Sequence, residues 1–390
     1  VIDEAEMLVK ALRQAFEEAR FSLAGQLHQK SNIIERVDIL CTADKDTVME
    51  FCAKQEYVLR KENASLEING LPLNIIISEE ENFYRDLVMA SSHPDFLSAL
   101  EIKNTVCNSE QAFFKSNGLP FYIPEFREQE NVPYIKAYTR DSDIINEDAI
   151  QGCIHNHSTY SDGMNTLEEM LEAAASKDYS YFVITDHSRS AFYANGLEIE
   201  RLQEQINAIR VLDQSHPDIR FFSGIESDIL SDGQLDYPDD VLSELDLVVA
   251  SIHSNLKMDK EKATNRLLKA IENPFTNILG HPTGRLLLSR KAYPIDFKKI
   301  IDACSDNNVA IEINANPLRL DLDWRHIQYA MSKNVLISIN PDAHSIKGLD
   351  DTSYGVCSAR KGGLLKSYCL NAMELEEFEE WLAEQHKKRP

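Results

Sequence analysis

The 390-residue sequence predicts an α/β protein: seven parallel strands closed into a β/α barrel, preceded by a smaller α/β unit. Two observations predict it. From residue 151 onward, seven short apolar runs alternate with amphipathic segments of helical spacing, the rhythm of parallel strands and crossover helices. The chain is also longer than one hydrophobic core usually supports, so two or more domains are expected.

The barrel strands are expected at Cys153-Ile154, Tyr181 to Ile184, Arg220 to Phe222, Leu247 to Ala250, Asn277 to Leu279, Val309 to Ile311 and Val335 to Ile339. Between them, Thr166-x-x-Glu169 reads as a capping box opening a helix that carries Leu167, Met170, Leu171 and Ala174. Upstream, residues 4–20 carry Leu8, Leu12 and Phe16 at a spacing of four, as in an amphipathic helix. Val37 to Leu40 and Leu73 to Ile77 read as strands. Residues 92–148, with Pro120, Pro124 and Pro133, read as a small helical piece and a linker.

Composition narrows the function. There are 40 basic and 64 acidic side chains, a net charge of −24, split as 15 against 27 in residues 1–150 and 25 against 37 in the rest. Neither part is basic, which argues against long-range steering toward polyanions and leaves any phosphate binding to a local site. No apolar run reaches the roughly 18 residues of a membrane span, so a protein without membrane contact is expected. Seven cysteines, odd in number and without a C-x-x-C pair, fit free thiols in a reducing, cytoplasmic setting. Val1 at the start fits a piece or processed form of a longer chain.

Metal-capable side chains gather where the predicted strands end. His155, His157 and Asp162 follow the first, and His187 follows the second. Glu226, His253 and His281 follow the third, fourth and fifth, and Asp342 and His344 follow the seventh. A lone histidine at a strand end is more often structural than a ligand. In His155-x-His157, however, strand alternation is expected to send both rings to one face about 7 Å apart. The joint pattern decides: six of eleven histidines and three carboxylates fall at the end where β/α barrels build active sites. Mixed imidazole and carboxylate ligands suit Zn, Mn or Fe, and nine side chains imply two or three ions. Ser188, Arg189, Arg285, Asn316 and Arg319, near the same strand ends, are candidates to touch phosphate.

The runs His155-x-His157-x-x-x-x-Asp162-Gly163, Thr185-Asp186-His187-Ser188, Gly224-x-Glu226, Ser251-x-His253-Ser254, Gly280-His281-Pro282 and Asp342-Ala343-His344 together resemble the PHP (polymerase and histidinol phosphatase) family over residues 149–372. The resemblance implies a distorted seven-stranded, TIM-like β/α barrel with a trinuclear centre. His155, His157, Glu226 and Asp342 would hold one ion, Glu226, His253 and His281 a second, and Asp162, His187 and His344 a third. His155, His157, Glu226 and Asp342 would then carry the catalysis.

Ala194-Asn195-Gly196-Leu197, Gly280 to Arg285 and Glu312 to Pro317 are similar to the PHP domain at the C-terminus of bacterial family X DNA polymerases. That likeness implies a polymerase palm-like domain over 1–95, a thumb-like helical segment and linker over 96–148, and a C-terminal helix over 373–390. The palm pattern is degenerate. Arg36 stands at the first aspartate position, only Asp38 remains, and the third carboxylate position falls near Pro72 or Asn74. Two-metal nucleotidyl transfer needs several carboxylates, so polymerase activity is expected to be lost.

The resulting expectation is a metal-dependent phosphoesterase acting on DNA 3′ ends, as a 3′→5′ exonuclease or 3′-end processing enzyme of DNA repair. A histidinol-phosphatase-like enzyme acting on small phosphomonoesters, and a noncatalytic metal-stabilised repair partner, are the alternatives. The sequence leaves oligomeric state open.

Overall fold

A computed structural model describes residues 1–61, 65–103, 105–138 and 140–390. Two compact units divide the chain, Val1–Asp143 and Ile144–Pro390.

The first unit is built on a five-stranded sheet. Its strands are β1 (Phe21–Ala24), β2 (Val37–Cys41), β3 (Val58–Arg60), β4 (Leu66–Ile68) and β5 (Leu71–Ile77), in the order β1-β2-β5-β4-β3. Only β2 and β5 run parallel. Alternation along β2 sends Val37, Ile39 and Cys41 to one face, where they bury Leu8 and Leu12 of the first helix. Leu40 joins Phe83 and Leu87 in a separate cluster. The hairpin from β4 to β5 turns on Asn69-Gly70, both with positive φ (48° and 80°), the two-residue turn that matches strand twist. The first helix spans Ile2–Ala15 and stops short of the expected residue 20. Phe16 leaves helical geometry at φ −130°, and its ring packs 5.8 Å from Phe21 and 5.6 Å from Phe51.

The second unit contains the expected barrel. Its strands are β6 (Gly152–Asn156), β7 (Tyr181–Ile184), β8 (Arg220–Asp228), β9 (Leu247–Ser251), β10 (Ile278–Leu279), β11 (Ala310–Asn314) and β12 (Ile337–Asn340). They are parallel and in sequence order. A bridge from Asn156 to Ala343, with the His157 amide donating to the Ala343 carbonyl at 2.9 Å, brings the first strand back to the last. The capping box forms as expected, with Thr166 Oγ1 accepting from the Glu169 amide and Glu169 Oε2 from the Thr166 amide.

The barrel interior is graded, and the grading positions the site. Near the strand starts it is apolar: Ile154, Tyr181, Val183, Phe222 and Val249 pack together with Phe378 and Trp381 of the helix Leu375–His386. The rings of Tyr181 and Phe378 stack at 4.2 Å. Toward the strand ends the buried side chains turn polar, through Ser338, Asn340, Glu312 and Asn314. Buried polar groups on this scale are stable only when hydrogen-bonded or ligating.

Candidate metal centre

Six histidines and three carboxylates from β6, β7, β8, β9, β10 and β12 or the residues just beyond them converge at the polar end. Glu226, 1% exposed, is the hub. Its Oε1 lies 3.2 Å from His155 Nε2, 3.1 Å from His253 Nε2 and 2.9 Å from His281 Nε2. Its Oε2 lies 2.8 Å from His187 Nδ1 and 3.8 Å from His157 Nε2. Asp342 Oδ1 sits 3.0 Å from His157 Nε2 and 3.6 Å from His155 Nε2. Asp162 Oδ1 is 3.3 Å from His344 Nε2 and 3.6 Å from His187 Nε2.

Among the described residues three ligand groups emerge, each compact enough for one ion: His155, His157 and Asp342; His187, Glu226 and His253; and His157, Asp162, His187 and His344. They overlap the three sets implied by family resemblance without coinciding with them, since His157 and His187 each enter two groups and His281 enters none. His281 nonetheless shares the hub carboxylate with His253.

The donor set fits divalent cations. Among the described residues, no well-aligned hydrogen bond reaches the buried atoms His155 Nε2, His157 Nδ1, His187 Nδ1, His281 Nδ1 and Glu226 Oε2, although Glu226 Oε2 and His187 Nδ1 lie 2.8 Å apart. Several such atoms in one place would carry a cost of roughly 1–3 kcal/mol each unless something ligates them. Outer partners fix the rings. His155 Nδ1 lies 2.6 Å from Glu312 Oε2, and His253 Nδ1 lies 2.7 Å from Asp228 Oδ1, the carboxylate–imidazole pairing typical of ligating histidines.

Charge and burial divide the histidines. Burial opposes protonation of His155, but Glu312, Glu226 and Asp342 outweigh it and hold the ring well above the ordinary value. Against the same penalty, Glu226 and Asp228 raise His253 to about 10, and Asp162 and Asp342 raise His344 to about 9. Burial and the neighbouring His344 and His187 instead push His157 down to about 3. Glu226 and Asp342, despite burial, are held well below the carboxylate range by the imidazoles around them. Both carboxylates are therefore ionised, the form that ligates a metal.

The His155/His157 pair does not arise from simple alternation. The pairing of β6 with β7 shifts register between Cys153 and Asn156, and His155 adopts φ +63°. This irregularity re-aims the strand end and brings the two ring centroids to 5.4 Å, closer than the spacing expected of a regular strand. Asp342, at φ +52°, is likewise left-handed, and strained backbone of this kind gathers at functional sites.

Two functional carboxylates were not singled out from sequence. Glu312 accepts from the His281 amide at 3.1 Å and from Asn340 Nδ2 at 2.8 Å, besides meeting His155. Asp186 gathers the amide and hydroxyl of both Ser158 and Ser161, anchoring the loop that carries Asp162. The signal for each was its place inside a run already noted, Glu312 to Pro317 and Thr185-Asp186-His187.

Of the five phosphate-contact candidates, Arg319 reaches the cluster, its Nε 3.6 Å from Asp342 Oδ2. Ser188 is buried and accepts from the Asp228 amide, and Arg189 ties to Asp236. Arg285 binds Asp323 and the Arg319 carbonyl, and Asn316 Oδ1 caps the Leu318 amide.

Comparison with known proteins agrees with this geometry. A family model described as PHP domain matches residues 154–316. The barrel carries a PHP domain. A DNA polymerase/3′-5′ exonuclease named PolX, from Bacillus subtilis (strain 168), is 43% identical over 274 residues, covering 70% of this chain and 48% of that protein. The chain thus spans about half the length of that relative. A probable phosphatase from Thermoanaerobacter sp. (strain X514) is 25% identical over 235 residues, 55% of this chain and 93% of the other. A histidinol phosphate phosphatase from Lactococcus lactis subsp. lactis, crystallised with zinc, L-histidinol and phosphate, gives a TM-score of 0.40 at 16% identity over 54% of this chain and 93% of that one. Among the described residues of this PHP-domain protein, no helix is long and apolar enough to cross a membrane.

Proposed function

We propose that the protein is a metal-dependent phosphoesterase acting on DNA 3′ ends, by 3′→5′ exonucleolysis or 3′-end processing. One observation carries the reading: a buried carboxylate, Glu226, met by five imidazoles within 4 Å at the open end of a β/α barrel. His155, His157 and Asp342 would hold one ion, Glu226 with His253 and His281 a second, and Asp162, His187 and His344 a third, with Zn, Mn or Fe the suitable metals. Such ions, when bound, polarise phosphoryl oxygens and lower the pKa of water. The chain itself orients His155 through Glu312 and His253 through Asp228, and offers Arg319 to a phosphate oxygen at the mouth. The likeness to the Bacillus exonuclease supports DNA as substrate.

We infer that the first unit has lost polymerase chemistry. Asp38 Oδ2 accepts from Arg36 Nε at 2.8 Å and its Oδ1 accepts from Asn74 Nδ2 at 2.7 Å. Asn74 stands directly opposite Asp38 on β5, near where the family X likeness implies the third carboxylate. A palm-like domain over 1–95 therefore reads as scaffold or docking surface.

A second reading, a phosphatase of small phosphomonoesters, draws support from the probable phosphatase whose length is 93% matched. The deciding experiment combines elemental analysis of the purified protein with rates on a single-stranded oligonucleotide and on phosphomonoesters under added manganese, zinc or iron. The nuclease reading expects faster hydrolysis of the oligonucleotide 3′ end, abolished in His155→Ala with the fold retained. A strong preference for phosphomonoesters rejects it, and metal content with no hydrolysis of either class leaves only a noncatalytic module.

A further inference from the structure

Exposed apolar side chains stand at the rim of the metal centre. Phe192 and Tyr193 are 85% and 63% exposed on the short turn Phe192–Ala194 after β7, their rings 6.2 Å apart and nearly perpendicular. Tyr193 stands over the centre, its ring 6.4 Å from that of His187. On the neighbouring edge Met164 is 79% exposed, and its amide donates to the carbonyl of His344. Leu288 and Leu318, in the loops after β10 and β11, are exposed as well. Single exposed apolar residues need no explanation, but five in loops that leave the same end of one barrel do.

The turn bearing the two aromatic rings is held rigidly. Ala191 and Ala194 are buried beneath it. Asn195, in left-handed geometry, donates from its side chain to the carbonyls of Tyr160 and Ser161. Gly196 lets the chain pass so near Ser188 that a Cβ would lie 2.0 Å from its carbonyl oxygen. Exposed rings on so firm a base form a preorganised surface, which lowers the ordering cost of anything that stacks on them. Arg319 and Arg290 are within electrostatic reach of Tyr193. A ligand stacked on these rings would lie close to the ligand cluster, since the Tyr193 ring is 6.4 Å from that of His187.

We propose that Phe192 and Tyr193 are specificity-determining residues that stack the nucleobase next to the scissile phosphate, so that the site selects nucleotide termini by their bases. The proposal rests on the DNA 3′-end reading. It also explains how a unit that carries 25 basic against 37 acidic side chains over residues 151–390 engages a nucleic acid. Base–aromatic stacking is sequence-tolerant and needs no basic groove to track the backbone.

The test uses the full, metal-loaded chain and two single-stranded oligonucleotides, one ending in a normal 3′ thymidine and one in a base-less tetrahydrofuran residue. In the double variant Phe192→Ala/Tyr193→Ala, the ratio of kcat/KM on the first to that on the second is expected to fall about tenfold, chiefly through KM. Phe192→Trp is expected to retain the wild-type ratio. Independently of turnover, an oligonucleotide with 2-aminopurine at its 3′ terminus and a hydrolysis-resistant terminal phosphorothioate should lose fluorescence on binding metal-loaded wild type, and much less on binding the double variant. An unchanged ratio, or an equal loss on both substrates, overturns the stacking role and leaves the nuclease reading intact. Wild-type protein that cleaves phosphomonoesters but neither oligonucleotide overturns both.

Discussion

Glu312 illustrates how much a single side chain settles. It is fully buried on β11, and one oxygen lies 2.6 Å from His155 Nδ1 while the other accepts the His281 amide. Removing its charge without changing its shape should loosen two ligands at once. Glu312→Gln is expected to lower metal affinity 10- to 100-fold while the fold is kept, as read by metal titration followed calorimetrically. Wild-type affinity in that variant would show that Glu312 only fills the barrel. Asp38 makes the opposite case, a carboxylate with both oxygens already engaged by Arg36 and Asn74. No nucleotide incorporation is expected on a primed template with magnesium or manganese, and Asp38→Asn should leave 3′-end hydrolysis unchanged. The nine ligand candidates could be read from sequence because a β/α rhythm tells where strands end. Glu312 could not, because it lies mid-strand in Ala310-Ile311-Glu312-Ile313-Asn314 and its partner His155 is far away in the chain. The inward turn of that face became visible only once the barrel had closed.

At the scale of elements, the helix Glu110–Ser116 is tied to the turn Pro124–Phe126 by a buried charge pair. Arg127, fully buried, donates from Nη1 to Glu110 Oε2 at 2.6 Å and from Nε and Nη2 to the Tyr122 carbonyl. Burial works against the Glu110 charge, but His28, 2.9 Å away, and the Arg127 guanidinium outweigh it and lower the carboxyl to about 2. Burial alone pulls Arg127 down, yet a guanidinium stays charged at any ordinary pH, so the carboxylate is the member that titrates. A depressed acid stabilises the fold above its ordinary value of 4.5, and that contribution is lost as pH falls toward about 2. Glu110→Gln should therefore cost about 3–5 kcal/mol at pH 7, with the gap from wild type closing as pH falls through that window. Hydrogen exchange of the amides in 110–127 measures it, and a gap independent of pH would contradict the assignment. Elements differ in legibility for equally local reasons. The Leu167–Ala175 helix declared itself through its capping box, whereas β3 and β4 have three residues each, too few to show alternation, and Leu59 on β3 faces solvent. The Asn69-Gly70 turn between β4 and β5 was the available clue to that hairpin.

At the scale of the whole molecule, charge and site pull in different directions, and the outcome can be measured. Residues 1–150 and 151–390 each carry a net charge of −12, so neither part is basic overall in the way that favours long-range attraction of a nucleic-acid backbone. Attraction for DNA would then come from the ions in the PHP domain, Arg319 and the exposed rings at its rim, all within one or two nucleotides of the scissile phosphate. Each phosphate neutralised on a single strand contributes about −0.7 to the slope of log affinity against log salt. With only two or three contacts, that slope for kcat/KM should be no steeper than about −2. The same shortage of grip predicts distributive digestion. With an end-labelled oligonucleotide and an excess of unlabelled trap added after binding, wild type should remove about one nucleotide per encounter and leave a ladder that advances in step. A steep salt slope together with full-length degradation in the presence of trap would show that an extended basic track exists after all, and would remove the physical reason for assigning recognition to the rim.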